Sequence, residues 1–278
     1  MNNEKITSRK GYVFFVLTLI AILGLLTIVS FAIGRFSRID LLTIPKILIN
    51  EIAPVFAKTW TSVEESVVLN FRAPRIIASI IVGASLAISG AAYQALFSNP
   101  VASSDSLGVS SSAAVGAVLG FLLGINVFYV KCLAFVVGCI SVFGIYFIAS
   151  RMGNRRNLTI FLILIGMIIS SLFGALLSVL KYVADPIDQL PKITYWLMGS
   201  MSNVRSSDMR YCILFFIVGI LPLFLLRWRL NLLSLSDAEA KSIGENMNLL
   251  RLITIVCATL LTSSSVAMTG GISWIGLV

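Results

Sequence analysis

An all-helical bundle that crosses a membrane several times is the fold predicted by this sequence, on two observations: it carries seven long apolar stretches, and none holds a charged side chain in its interior. The stretches cover residues 12–34, 76–95, 108–124, 132–150, 158–180, 211–226 and 252–270. A bilayer core of about 30 Å takes a helix of about 20 residues, and lipid satisfies no backbone polar group, so such runs read as spanning helices. Composition agrees: 58% of residues are hydrophobic, 12% are charged, and the mean hydropathy is +0.99. These values exclude an ordinary soluble domain.

The first run follows a basic start (Lys5, Arg9, Lys10), as a secretory signal peptide would, but it continues without an A-x-A-like site and ends at Gly34-Arg35-Phe36. A retained first helix after a tail of residues 1–11 is expected. The net charge of +9 sits at segment ends, where anionic headgroups attract Lys and Arg, so a lipid bilayer rather than nucleic acid is the partner it implies. The density of Lys and Arg in the tail and at Arg151, Arg155 and Arg156 places the N-terminus in the cytoplasm. Loops 96–107, 151–157 and 227–251 then face inward. Those at 35–74, 126–130 and 183–207 face outward, with Pro186, Pro191 and Asp185–Asp188 predicting an irregular turn before a short 193–199 segment. The chain reads as a single transmembrane domain over 1–278.

Small residues recur every four positions at Ser112, Gly116, Gly120 and Gly124, and again at Gly166, Ser170, Gly174 and Ser178. That spacing lines one helix face and lets backbones approach closely in lipid. Both series are expected to pack helices.

Chemistry is constrained by what is missing from the sequence. There is no histidine; Cys132, Cys139, Cys212 and Cys257 lie in apolar runs without C-x-x-C spacing; no cofactor or metal site is suggested. No acidic or basic group lies within a span, which weighs against an ion-coupled carrier and an intramembrane enzyme. The chain also lacks the G-x-x-x-x-G-K-[ST] phosphate loop, so any active transport draws its energy from a partner. Within residues 231–249, Ser236 and Glu239 form an S-x-x-E capping box, predicting a short helix from Asp237 to Ile243 that Gly244 ends. The bare pattern fits equally a plain connector and a lever held by an ATPase.

Several further motifs follow in order: Arg72-Ala-Pro-Arg75 with the helix after it, Asn99-Pro100-Val101-Ala102, Leu107-Gly108-Val109-Ser110-Ser111, Tyr195-Trp-Leu-Met-Gly199-Ser200, the 233–240 segment, and Gly270-Gly-Ile-Ser-Trp-Ile-Gly276-Leu-Val. Together they resemble the permease family of type II ABC importers for iron-siderophores, haem and vitamin B12. The resemblance implies a transport subunit, itself no enzyme, that pairs with a second permease subunit, a cytoplasmic ABC ATPase dimer and an extracytoplasmic binding protein. It assigns docking of the binding protein to Arg72 and Arg75. Coupling to the ATPase falls to Ser236, Asp237, Ala238, Glu239, Ala240, Ile243 and Gly244, and a cytoplasmic gate to Asn99 and Val101 with Thr159 opposite. Two departures stand out: Ser103-Ser104 replaces the family's acidic residue and proline, and the chain stops at Val278 inside an apolar run, where members continue through about three more helices. The ending reads as a truncation. Alternatives to an ATP-driven importer are an ATP-independent carrier and an inactive remnant.

Overall fold

The computed structural model of the chain describes residues 9–34, 39–40, 42–152, 158–204, 206–235, 239, 244 and 246–272. Among these residues there is no strand. The helices are α1 (Arg9–Ala32), α2 (Thr43–Ile52), α3 (Ser62–Ser66), α4 (Ala73–Phe97), α5 (Val109–Leu122), α6 (Val127–Met152), α7 (Leu158–Val183), α8 (Gln189–Leu197), α9 (Ser206–Leu225), α10 (Arg227–Leu230) and α11 (Met247–Thr269). The backbone separates into two compact units, residues 1–77 and 78–278.

Among the described residues, five helical stretches are long and apolar enough to cross a membrane: Gly11–Ala32, Ser62–Phe97, Val127–Met152, Leu158–Val183 and Met247–Thr269. The two remaining apolar runs differ from simple spans. The run at 211–226 becomes a bent pair, with Ile213–Leu225 and Arg227–Leu233 inclined by 68°. The run at 108–124 shortens to the 14 residues of α5, about 21 Å at 1.5 Å per residue. Gly108 and Gly124, both at φ +64°, bound it. Nine of its residues, from Val109 to Gly120, are buried, whereas Leu123 and Ile125 just past its C-terminal end are exposed.

In the first unit the helix that becomes α4 begins well before residue 76. Thr61 starts it with a capping box: its N–H donates to Glu64 Oε2 at 2.8 Å, and Glu64 N–H donates to Thr61 Oγ1 at 3.3 Å. One π turn, Val67–Arg72, joins α3 to α4 just before Pro74. The wider turn accommodates a proline that can donate no i→i−4 bond. Ile39, Ile44, Ile47, Trp60 and Val68 form this unit's buried cluster, to which α1 contributes Phe31. Along the rest of α1 apolar side chains are exposed on every face, as in a helix surrounded by lipid.

In the second unit, α11 is the most enclosed span. Its buried side chains include Thr254, Thr259, Thr262, Ser263, Ser264, Ser265 and Thr269. Most of these hydroxyls bond back to their own helix, as Thr254 does to Leu250 O at 2.8 Å and Ser265 to Leu261 O at 2.7 Å. Two reach α4: Thr259 Oγ1 lies 3.0 Å from Tyr93 Oη, and Thr262 donates to Ser89 Oγ at 3.1 Å. Apolar packing surrounds this seam, with Tyr93, Leu96, Leu107, Ile145, Leu162 and Leu261 in the largest cluster.

The small residues divide. A Cβ on Gly116 would sit 2.7 Å from Leu133 O and 3.0 Å from Ala134 Cα, and one on Gly120 would sit 3.1 Å from Val130 Cα, so both seat α5 on α6. Gly166 lies hard against Ser106 O, in the turn before α5. Gly124 and Gly174 meet nothing within 4 Å among the described residues. The role of Gly124 is instead to end α5 in the left-handed conformation, with Gly124 N–H bonding Phe121 O at 3.1 Å. Two glycines outside the four-residue series also permit close packing: Gly138 beside Ser263 Oγ, and Gly219 beside Leu261.

Candidate functional site

The turn after α4 carries Asn99 and Val101. Helix α4 ends in a Schellman arrangement: Asn99 N–H bonds Gln94 O at 3.1 Å and Ser98 N–H bonds Ala95 O at 3.3 Å, with Ser98 at φ +48°. Asn99 then organises the rest of the turn. Its Oδ1 accepts from Val101 N–H at 2.9 Å, its carbonyl accepts from Ala102 N–H at 3.1 Å, and Gln94 Nε2 donates to Pro100 O at 3.0 Å. These bonds turn Val101 outward, 70% exposed, while Ala102 is buried. Ser103-Ser104, the departure from the family pattern, fits without strain, since Ser103 N–H bonds Ser106 Oγ at 3.3 Å in the 3-10 turn Ser104–Leu107. Leu158, at the start of α7, shares a buried cluster with Ala102, and its neighbour Thr159 is half-buried. The turn and the foot of α7 are thereby brought together.

Arg72 and Arg75 differ in burial. Arg72 is buried, and its Nη1 donates to the carbonyls of Phe31 and, at 3.4 Å, Ala32. The last carbonyls of a helix have no partner within it, and a basic side chain is a good one. Gly34 makes room, because a Cβ there would strike the Arg72 guanidinium. Arg75 is half-buried.

The segment expected to couple to an ATPase comes after an elbow. Beyond α9, α10 and a 3-10 turn (Asn231–Ser234) lead into it. Ser236, Asp237, Ala238, Ala240 and Ile243 lie outside the described residues. Glu239 is exposed, and Gly244, also exposed, has φ +80°. Asn246 opens α11, its side chain accepting from Leu249 N–H at 3.2 Å.

At the other end of the bundle, two motifs separated by about seventy residues meet. Ser200 N–H bonds Thr269 O at 2.6 Å, and Gly271 N–H bonds Trp196 O at 3.3 Å. Gly270 lies directly on Trp196 O and Gly271 on Leu197 O, while a Cβ on Gly199 would meet Ile272 at 2.8 Å. The approach is backbone to backbone, which only glycine allows. Sequence reasoning singled out both motifs without pairing them. Their shared glycines were the available signal. Between α7 and α8, Asp185 organises the predicted turn: its Oδ1 accepts from Ile187 and Asp188 N–H, both at 2.8 Å. These bonds hold its carboxyl below the ordinary carboxylate range, the Asp188 bond most of all. Helix α8 begins at Gln189, earlier than the expected 193, because Pro191 falls in its first turn, where no N–H is needed.

The sequence pattern of the FecCD transport family matches residues 17–278. The chain belongs to this family. Within it, the molybdate import system permease protein MolB of Haemophilus influenzae is 36% identical over 96% of this chain and 77% of its own length. A probable iron chelatin transport system permease of Helicobacter pylori is 38% identical over 76% of this chain. The vitamin B12 import system permease BtuC of Photorhabdus laumondii is 36% identical over 80%. The chain spans 63% and 65% of the lengths of the last two, under two thirds. Among solved structures, a metal-chelate type ABC transporter in an inward-facing conformation superposes with a TM-score of 0.80, at 32% identity, over 95% of this chain and 78% of that one. A FecCD-type membrane subunit with several spanning helices is therefore in hand.

Proposed function

We propose that this chain is the permease subunit of an ATP-driven importer for an iron-siderophore or a related metal chelate such as haem or vitamin B12. The observation that carries the reading is the family match across 17–278. In this reading the N-terminus is cytoplasmic, and a second permease subunit completes the pathway. A cytoplasmic ABC ATPase dimer supplies the energy and an extracytoplasmic protein delivers the cargo. Closure of the ATPases would move the 236–244 segment, and with it the helices on either side, α9 to α11. The 98–108 turn and the foot of α7 would form the cytoplasmic gate. The binding protein would dock at the Arg72-Ala-Pro-Arg75 end of α4, where rim charges steer docking and fix its register.

One observation extends the cargo class. The relative that aligns with 96% of the chain is named for molybdate, an oxyanion, so molybdate stands as the second cargo to test.

The deciding experiment is affinity capture of the tagged chain from detergent-solubilised membranes, with mass spectrometry for a bound ABC ATPase. Capture that is lost when Ala238 or Ala240 is replaced by Arg supports the coupling role, because a helix seated in a groove has no room for the larger side chain. If no ATPase is retained by either this chain or a gene product extended beyond Val278, the ATP-independent carrier replaces this reading.

A further inference from the structure

The elbow between α9 and α10 joins three properties that the transport reading leaves unused. First, the chain turns by 68° between Ile213–Leu225 and Arg227–Leu233, so its direction changes from that of a span within a single residue, Leu226. Second, the last turns of α9 and the elbow expose a continuous apolar face: Leu221, Phe224, Leu225 and Trp228 are 54%, 58%, 68% and 74% exposed. Third, two positive charges, Arg227 and Arg229, flank Trp228 there, and both are exposed.

The geometry at Arg227 ties these together. Its guanidinium carbon lies 4.4 Å above the Phe224 ring and 5.9 Å from the Trp228 ring, and Nη1 donates to Phe224 O at 3.1 Å. The planar group thus sits against the Phe224 ring, with one Nη1–H of its five N–H donors given to that carbonyl. Tryptophan prefers the boundary between headgroups and acyl chains, and long basic side chains reach from apolar surface to the polar layer. Guanidinium forks match phosphate oxygens two at a time.

We infer that this elbow binds anionic phospholipid: Arg227 and Arg229 take the headgroup phosphates, Trp228 rests at the acyl boundary, and the contact fixes the level at which the Asn231–Ser234 turn leaves the membrane. The inference holds for either orientation of the chain, since it requires only that the elbow lie at a membrane boundary.

The test reconstitutes the full chain in mixed micelles of phosphatidylcholine and phosphatidylglycerol and counts retained lipids by native mass spectrometry. Wild-type protein retains phosphatidylglycerol over phosphatidylcholine. Arg227→Gln with Arg229→Gln lowers that preference on the order of tenfold, whereas Arg227→Lys with Arg229→Lys keeps most of it and shows that the elbow still folds. Brominated phosphatidylglycerol quenches the part of the tryptophan emission that Trp228→Phe removes. Equal phosphatidylglycerol retention by wild type and the Gln pair overturns the inference. So does a Gln pair that keeps its lipid but no longer holds an ABC ATPase, an outcome that assigns the arginines to a protein contact. Loss of ATPase capture by wild-type protein with lipid preference intact counts against the proposed function and leaves this inference standing.

Discussion

Replacing Gly116 and Gly174 by alanine, one at a time, isolates the cost of helix packing. The two substitutions share an intrinsic gain of up to about 1 kcal/mol, because alanine is the better helix former. They differ in surroundings. At Gly116 the new methyl meets Leu133 O at 2.7 Å, Ala134 Cα at 3.0 Å and Val137 Cβ at 3.0 Å; at Gly174 it meets nothing within 4 Å. Two of the three Gly116 neighbours are main-chain atoms, so α6 itself must shift, and overpacking of this kind costs about 1–3 kcal/mol. Gly116→Ala is therefore neutral to about 2 kcal/mol destabilising, Gly174→Ala is stabilising by up to about 1, and their difference of about 1–3 kcal/mol is the packing cost. At about 2–4 °C per kcal/mol for a large domain, the two melting temperatures separate by roughly 2–12 °C. Thermal unfolding in detergent followed by tryptophan emission reads this directly, since buried Trp196 packs in the same cluster as Ala113, Ala117 and Ala134 of the α5–α6 interface. Equal shifts at the two positions would refute the argument.

Three further outcomes are expected. A double-mutant cycle of Tyr93→Phe and Thr259→Val should give a coupling of about 0.6 kcal/mol, with an upper end near 1.7, for the buried α4–α11 hydroxyl pair; additive losses would show that the pair contributes no specific link. Arg72→Ala should cost about 1.5–3 kcal/mol and raise amide exchange at residues 29–34, because the terminal carbonyls of α1 lose a charged donor; unchanged exchange there would mean that water replaces the guanidinium without loss. Asp185 has a folded pKa lowered by backbone N–H bonds, so its contribution is present above its unfolded pKa of about 3.8 and is lost as pH falls through the lowered folded value. Asp185→Asn should flatten the acid limb of exchange protection over 183–190, and an unaltered limb would assign the acid sensitivity elsewhere.

The spans were legible because lipid imposes a crude and continuous demand, and long apolar runs meet it whatever their neighbours. The exceptions arose where backbone geometry decided. The shortness of α5 depends on Gly108 and Gly124 adopting positive φ, and composition does not reveal which glycines do so. The early start of the helix leading into α4 was written in Thr61-x-x-Glu64, a capping signal inside the 35–74 stretch whose polarity suggests a loop. For Arg72 and Arg75, the motif gave the residues but not their direction. A π turn inserts one residue, roughly 100° of rotation, and so decides which side chain meets α1. The turn after α4 was half readable: Asn-Pro announced a turn, while the burial of Ala102 beside Leu158 required the fold. Of the 236–244 segment, the capping pattern remains a sequence statement, with Glu239 and Gly244 described on either side of its centre.

The meeting of residues 196–200 with 269–272 works as a mechanical joint. Trp196 O, Leu197 O and Thr269 O press on or bond to the opposing glycine and serine backbones, with no flexible side chain between them to absorb a displacement. Such a contact is stiff: it passes on translation almost undiminished, and its action depends little on which side chains surround it. A displacement of the turn at 184–199 would therefore reach the C-terminal end of α11, and α11 runs back through its unit to Asn246, so that one rod joins the two ends of this unit; a single alanine at Gly270 would wedge it against the Trp196 carbonyl.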